Sequence, residues 1–147
     1  MAGRMGAIPA VTALALALLL GPLGCGGGAE GRAADAGALE PAELEALLGA
    51  GEGIVVLDVR SPEEFERGHV PGARLLPHRE LPDRVHELAG HRDATVVVYC
   101  ERGGRASAAA RVLREAGFRD VRELAGHMAR WRREGRPLEG PGGPPGR

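Results

Sequence analysis

The sequence predicts an α/β sandwich with a mainly parallel central sheet flanked by helices. Short apolar runs rich in β-branched residues alternate with helical patterns along the chain, and this alternation is typical of parallel sheets with helical crossovers. The runs are apolar on both faces, as is typical of strands that are covered on both sides. Between the two ends of the chain, about 100 residues have core character, which is enough for one compact core and too few for two.

Each element has its own local signal. A helix opens at Glu40 and Pro41, and Gly49 and Gly51 end it. Ser61 and Glu64 form a capping box, which starts a short helix. The run at residues 95–99 is β-branched and aromatic and is the strongest strand signal. We expect helices that begin near Pro41, Ser61, Leu81, Ala106 and Met128, and strands at residues 54–57, 73–76, 95–99 and 121–124.

The first 24 residues have the layout of a secretory signal peptide. A short start that carries a positive charge at Arg4 precedes an apolar run over residues 8–20. This run is shorter than the roughly 20 residues that a helix needs to cross a bilayer. We therefore expect residues 1–24 to be removed and the protein to be exported to the periplasm or the cell surface.

Cys25 stands directly after this segment. Leu23 and Gly24 before it resemble a bacterial lipoprotein signal, in which the cysteine is acylated and becomes the new N-terminus, although Pro22 stands where that signal favours leucine. We expect a lipid anchor at Cys25 that attaches the protein to a membrane, and ordinary secretion without acylation is the alternative. Residues 25–38 predict a flexible tether, residues 39–138 a folded domain and residues 139–147 a disordered tail.

Composition argues against several classes of function. The net charge is −1, and the chain has one Trp, one Tyr and two Phe, so neither a basic face nor stacking aromatics indicate nucleic-acid binding. Two cysteines are too few for a disulfide scaffold. His78, His86, His91 and His127 do not have the spacing of metal ligands, so we expect no metal and no organic cofactor. No pattern in the sequence indicates an oligomeric state.

Cys100 has the sequence context of a nucleophile. It lies between the strongest strand and a helix, where it faces backbone N–H groups at the carboxyl edge of the sheet. Gly103 and Gly104 permit a tight curl that directs N–H groups inward as an anion-binding nest, and Arg102 and Arg105 add positive charge. These features favour the thiolate over the thiol and would stabilise a persulfide anion. A buried structural cysteine is the alternative, although packing alone does not require two glycines and two arginines so close by.

Three ordered motifs resemble those of rhodanese domains. The segment from Cys100 to Arg105 resembles the Cys-x-x-Gly-x-Arg active-site loop of that family. Residues 58–65 and 68–73 resemble its N-terminal signature, and residues 117–137 resemble its C-terminal signature. The resemblance covers residues 39–138 and implies a rhodanese-like three-layer sandwich. It also implies a sulfurtransferase that moves sulfane sulfur through a persulfide on Cys100.

The resemblance further implies roles for single residues. Cys100 would carry the sulfur, and the backbone amides of the loop after it would hold the persulfide. Asp58 and Arg60 would brace that loop, and His69 would be structural. The implied partners are a small anionic sulfur donor and a thiol acceptor, with cyanide as acceptor in an assay. The loop comprises Glu101, Arg102, Gly103, Gly104, Arg105 and Ala106.

Two residues depart from the family pattern, and two other functions remain open. Ala106 stands where many members have Ser or Thr, and His127 replaces the second Gly of a frequent Gly-Gly pair, so we expect these positions to affect donor preference. Phosphatase or arsenate-reductase chemistry goes with a longer loop than the four residues between Cys100 and Arg105. A non-catalytic binding or regulatory module is the other alternative, but such modules usually lack the cysteine.

Overall fold

The computed structural model describes residues 37–141 of the 147-residue chain. The expected signal peptide, Cys25 and most of the expected tether lie outside the described residues, as do residues 142–147. No helix in the described range is both long enough and apolar enough to cross a membrane.

The described residues form four β-strands, five α-helices and one 3-10 helix. The strands are β1 (Val55–Asp58), β2 (Arg74–Leu75), β3 (Thr95–Tyr99) and β4 (Asp120–Glu123). The α-helices are α1 (Pro41–Ala50), α2 (Pro62–Glu66), α3 (Leu81–Arg84), α4 (Gly104–Glu115) and α5 (His127–Arg133). The 3-10 helix, Val85–His91, continues directly from α3.

The strands form one parallel sheet in the order β2-β1-β3-β4. This order places β1 and β3 side by side in the centre, with Asp58 opposite Tyr99 at their carboxyl ends. The segments that follow these two strands therefore start at the same edge of the sheet. The parallel sheet confirms the predicted fold class.

Alternate residues of the central strands contribute to two separate cores. Val98 packs on one face of the sheet in a cluster that includes Leu113 of α4. Val97 points to the other face, where the cluster includes Leu44 of α1 and Trp131 of α5. Helices thus cover both faces of the sheet, which gives the predicted three-layer sandwich.

The third predicted helix differs from the expectation. The spacing of Leu81, Val85 and Leu88 predicts a single α-helix, but α3 ends at Arg84 and a 3-10 helix follows it. Residues three apart share one side of a 3-10 helix, so Val85 and Leu88 still pack together on the core. The apolar pattern therefore identifies the buried face of this segment but not its type of helix.

Candidate active site around Cys100

Cys100 directly follows β3, and the loop after it leads into α4. The backbone carbonyl of Cys100 accepts a hydrogen bond from the Met128 N–H at 3.0 Å, and that of Glu101 accepts one from the Ala129 N–H at 3.2 Å. The first turn of α5 therefore holds the start of the loop. Cys100 is a free cysteine, and it is buried, with 1% of its surface exposed.

The sulfur of Cys100 has a backbone donor. The Gly103 N–H donates a hydrogen bond to Cys100 Sγ at 3.0 Å. Gly103 has a φ of 116°, a conformation that glycine adopts at no steric cost and other residues avoid. The sharp turn at Gly103 therefore directs an amide at the sulfur, as the predicted nest requires.

Arg105 and Glu64 form an ion pair beside the loop. Arg105 donates from Nη1 and Nη2 to the two carboxylate oxygens of Glu64, at 2.5 and 2.8 Å. The hydrogen bond to Glu64 raises the pKa of Arg105, burial opposes this effect, and the Cys100 thiol lies near enough to add to the rise. In return, Arg105 lowers the pKa of Glu64 to about 2. A permanently charged arginine therefore lies near the sulfur in a fixed orientation.

Glu64 is a site residue that the sequence pattern did not identify as one. Its capping box with Ser61 is present as predicted: the Glu64 N–H donates to Ser61 Oγ, and the Ser61 N–H donates to Glu64 Oε2. The same carboxylate also binds Arg105, which is 41 residues away. Local spacing gives no signal for a contact over that separation.

Arg60 and Asp58 lie buried beneath the loop. Arg60 donates to both carboxylate oxygens of Asp58, with the shortest contact at 2.7 Å, and to the Gly68 carbonyl at 2.9 Å. Burial opposes the charge of Arg60, but the hydrogen bonds and charge of Asp58 outweigh it, so the pKa of Arg60 is raised. Arg60 Nη1 also lies 3.8 Å from Glu101 Oε2. The buried pair thus contacts the loop through Glu101, whose carboxylate also binds Arg132.

The remaining predicted loop residues have different surroundings. Arg102 and Gly104 are exposed, whereas Arg105 lies near enough to interact with Cys100. Ala106 is fully buried in α4 and belongs to the core on that face of the sheet. His69 stacks on the Phe65 ring with centroids 3.6 Å apart, and its Nδ1 lies 3.0 Å from the Phe65 carbonyl.

His127 packs against the loop, and both its backbone conformation and the surroundings of its imidazole are unusual. It is the one described residue other than glycine with a positive φ, at 52°. A Cβ atom placed on Gly103 would lie 2.9 Å from His127 Nε2. The imidazole therefore lies close to Gly103, whose N–H donates to the sulfur. Its Nδ1 is buried without a hydrogen-bond partner in the described residues. Burial lowers the pKa of His127 from 6.5, and Glu123 offsets this only in part.

Two clefts open beside the loop. One, of about 360 Å³, is lined by Arg60, Ser61, Pro62, residues 77–80 and Arg105. The other, of about 380 Å³, is lined by Arg60, Glu64, Arg67, Glu101 and Arg132. Because Arg105 belongs to the first cleft and Glu64 to the second, their ion pair forms part of the boundary between the two.

These features define a class of α/β domain in which a cysteine and a glycine-containing loop follow a central strand of a parallel sheet. A directed amide and a nearby guanidinium are what a sulfur anion on Cys100 requires for stabilisation. Residues 40–134 match the family model of the rhodanese-like domain. The chain therefore belongs to the rhodanese-like domain family, as its motifs predict.

The chain is also similar to curated relatives and to a solved structure. A sulfurtransferase of Allochromatium vinosum is 33% identical over 105 residues, which cover 71% of this chain and 96% of that protein. An HTH-type transcriptional regulator of Mycobacterium tuberculosis is 44% identical over 105 residues, which cover 69% of this chain but only 44% of the regulator. The crystal structure of a rhodanese-related protein from Thermoplasma volcanium has a TM-score of 0.61 and 29% identity, and the match covers 69% of this chain and 96% of that one.

Proposed function

We propose that this chain is a sulfurtransferase that carries sulfane sulfur as a persulfide on Cys100 and passes it to a thiol acceptor. The observation that carries the proposal is the 3.0 Å hydrogen bond from the Gly103 N–H to Cys100 Sγ. A backbone donor directed at the sulfur stabilises negative charge there without reorganisation during the reaction. The name of the Allochromatium vinosum relative supports the same chemistry.

The transfer consists of two displacements at sulfur. The Cys100 thiolate attacks the outer sulfur of a donor such as thiosulfate, the sulfur–sulfur bond of the donor breaks, and its electron pair leaves with sulfite. The acceptor, a thiolate or cyanide, then attacks the outer sulfur of the persulfide. The electron pair of that bond returns to Cys100, which is regenerated as the thiolate, so the cycle needs no external oxidant or reductant.

Arg105 and Arg60 contribute to this cycle in different ways. Arg105 supplies positive charge near the sulfur, and Glu64 holds it in place. Arg60 is a positioning residue that acts on the loop through Glu101. We therefore expect Arg105→Ala to weaken use of the anionic donor and Cys100→Ala to abolish transfer.

Intact-protein mass spectrometry of the purified full chain tests the proposal. After incubation with thiosulfate we expect a gain of about 32 Da, the mass of one sulfur atom in a persulfide, and cyanide should remove it. Cys100→Ser should abolish the gain and Cys25→Ser should retain it, which separates the two cysteines. No gain with thiosulfate or a polysulfide would refute the carrier role and favour a binding module or a loop for another anion.

We also propose that the chain is exported to the periplasm or the cell surface and attached to a membrane by acylation of Cys25. The support is the signal-like sequence of residues 1–25. In a bacterial host that expresses the full chain, labelled palmitate should enter the wild-type protein but not Cys25→Ser. Label in the variant, or none in the wild type, would contradict the anchor.

A further inference from the structure

The cleft of about 360 Å³ lies between the start of α2 and the turn at residues 77–80. The turn is attached to the residue that follows β1, because the His78 N–H donates to the Val59 carbonyl at 3.1 Å. Arg60 also lines the cleft, as does Arg105, the arginine of the Cys100 loop. A ligand in this cleft would therefore contact the residue that supplies positive charge near the sulfur.

The charges of the cleft leave one cation without a counter-ion. Arg60 is paired with Asp58, and Arg105 is paired with Glu64. Glu80, the carboxylate that lines the cleft, is bound to Arg84 at 2.5 Å. Arg79 is exposed, and its guanidinium forms no ion pair among residues 37–141. The cleft is therefore suited to an anionic group that Arg79 binds.

The size and walls of the cleft indicate an organic ligand. Its volume of about 360 Å³ falls in the range of about 300–1,000 Å³ that is typical of small-molecule sites. An ion as small as thiosulfate or cyanide would fill only a small part of it. Pro62 and Pro77 lie among its lining residues, and their rings offer apolar surface for the carbon atoms of a ligand.

We propose that this cleft binds an organic thiol that carries a carboxylate, with the carboxylate on Arg79 and the thiol directed towards Cys100. This inference rests on the sulfurtransferase function proposed above and names the class of acceptor. The acceptor thiolate attacks the outer sulfur of the Cys100 persulfide, the sulfur–sulfur bond breaks, and the electron pair returns to Cys100. The acceptor leaves as an organic persulfide.

Acceptor selectivity of the loaded protein tests the inference. The full chain is loaded with thiosulfate, freed of excess donor, and mixed with mercaptosuccinate or with the uncharged 2-mercaptoethanol, and loss of the persulfide is followed by mass spectrometry. The readout is the second-order rate constant for mercaptosuccinate divided by that for 2-mercaptoethanol. Intrinsic differences between the two thiols cancel when this ratio is compared between variants. We expect Arg79→Gln to lower this ratio about two- to fivefold, as for the loss of one solvent-exposed ion pair.

Arg111→Gln serves as the matched control, because Arg111 is an exposed residue of α4 outside the cleft lining. Its ratio should equal that of the wild type. If Arg79→Gln loads sulfur and its ratio equals that of the wild type, the acceptor site is overturned and the sulfurtransferase function stays intact. Failure of the wild type to load appears in the first step and would overturn both proposals.

Discussion

At the scale of single residues, Glu64 has a partner on each of two elements. Its carboxylate accepts a hydrogen bond from the Ser61 N–H at 3.1 Å and two hydrogen bonds from Arg105. A long arginine side chain loses much rotamer freedom when it is ordered, and the bidentate contact with a carboxylate fixes the plane of the guanidinium. The orientation of Arg105 near Cys100 therefore depends on Glu64.

Replacement of this carboxylate should impair sulfur loading. Glu64→Gln keeps the size of the side chain but removes the charge that holds Arg105, so we expect the rate of loading at low thiosulfate to fall about tenfold, as for the loss of a hydrogen bond to a charged group. Glu63→Gln is the control, because Glu63 is exposed and does not contact Arg105. Equal loading by the two variants would contradict a positioning role for Glu64, and melting temperatures would separate this role from a loss of fold.

His127 should make the stability of the protein depend on pH near neutrality. Its pKa in the folded state is lowered from 6.5 by burial, so the unfolded chain binds the proton first. The free energy of unfolding therefore decreases as the pH falls through 6.5. His127→Gly removes the titrating group and suits the positive φ of this position. Urea unfolding between about pH 8 and pH 5 should show a smaller decrease in the variant, and equal decreases would refute this account.

At the scale of elements, two successive glycines at the start of α4 differ in whether another residue could replace them. Gly103 has a φ of 116°, and a Cβ there would meet His127 at 2.9 Å, whereas a Cβ on Gly104 would meet nothing within 4 Å. Both the backbone conformation at position 103 and the packing against His127 therefore require glycine there. Gly104 is the first residue of the helix, and its conformation is open to other residues.

Alanine at each position should separate these requirements. We expect Gly103→Ala to lower the free energy of unfolding by about 1–3 kcal/mol and to prevent persulfide loading, because the amide that faces the sulfur shifts. Gly104→Ala should be neutral or raise the free energy of unfolding by about 0.4–1 kcal/mol, since the unfolded chain loses entropy. Chemical denaturation and mass spectrometry measure both effects. Similar behaviour of the two variants would show that the turn at Gly103 is not required.

The elements also mark the limit of what local patterns predict. The strand before Cys100, the capping box of α2 and the glycines of the loop are encoded by adjacent residues, and each is found near its predicted position. The contact of Glu64 with Arg105 and that of His127 with Gly103 join separate elements. They depend on how the sheet brings these elements together, so no spacing in the sequence indicates them.

At the scale of the whole molecule, contacts link the end of the described chain to the site. The Glu139 N–H donates to the His69 carbonyl and the His69 N–H to the Glu139 carbonyl, both at 2.9 Å. Glu139 Oε2 also accepts a hydrogen bond from the Gly72 N–H at 2.9 Å. Gly68, whose carbonyl binds Arg60, directly precedes the segment that these bonds hold. Glu139, the first residue of the expected tail, is thus hydrogen-bonded to residues 69 and 72.

A full chain shortened to end at Leu138 should therefore be less stable than one shortened to end at Pro141. The shorter chain loses the backbone hydrogen bonds of Glu139, each of which contributes about 0.5–1.5 kcal/mol, so we expect the free energy of unfolding to fall by about 1–3 kcal/mol. Because Gly68 holds Arg60 and Arg60 reaches the loop, slower sulfur loading should accompany this loss. Urea unfolding and the loading assay on the two chains measure both effects. Equal stability would mean that the pairing of His69 with Glu139 does not support the site, and the domain would then end at Leu138.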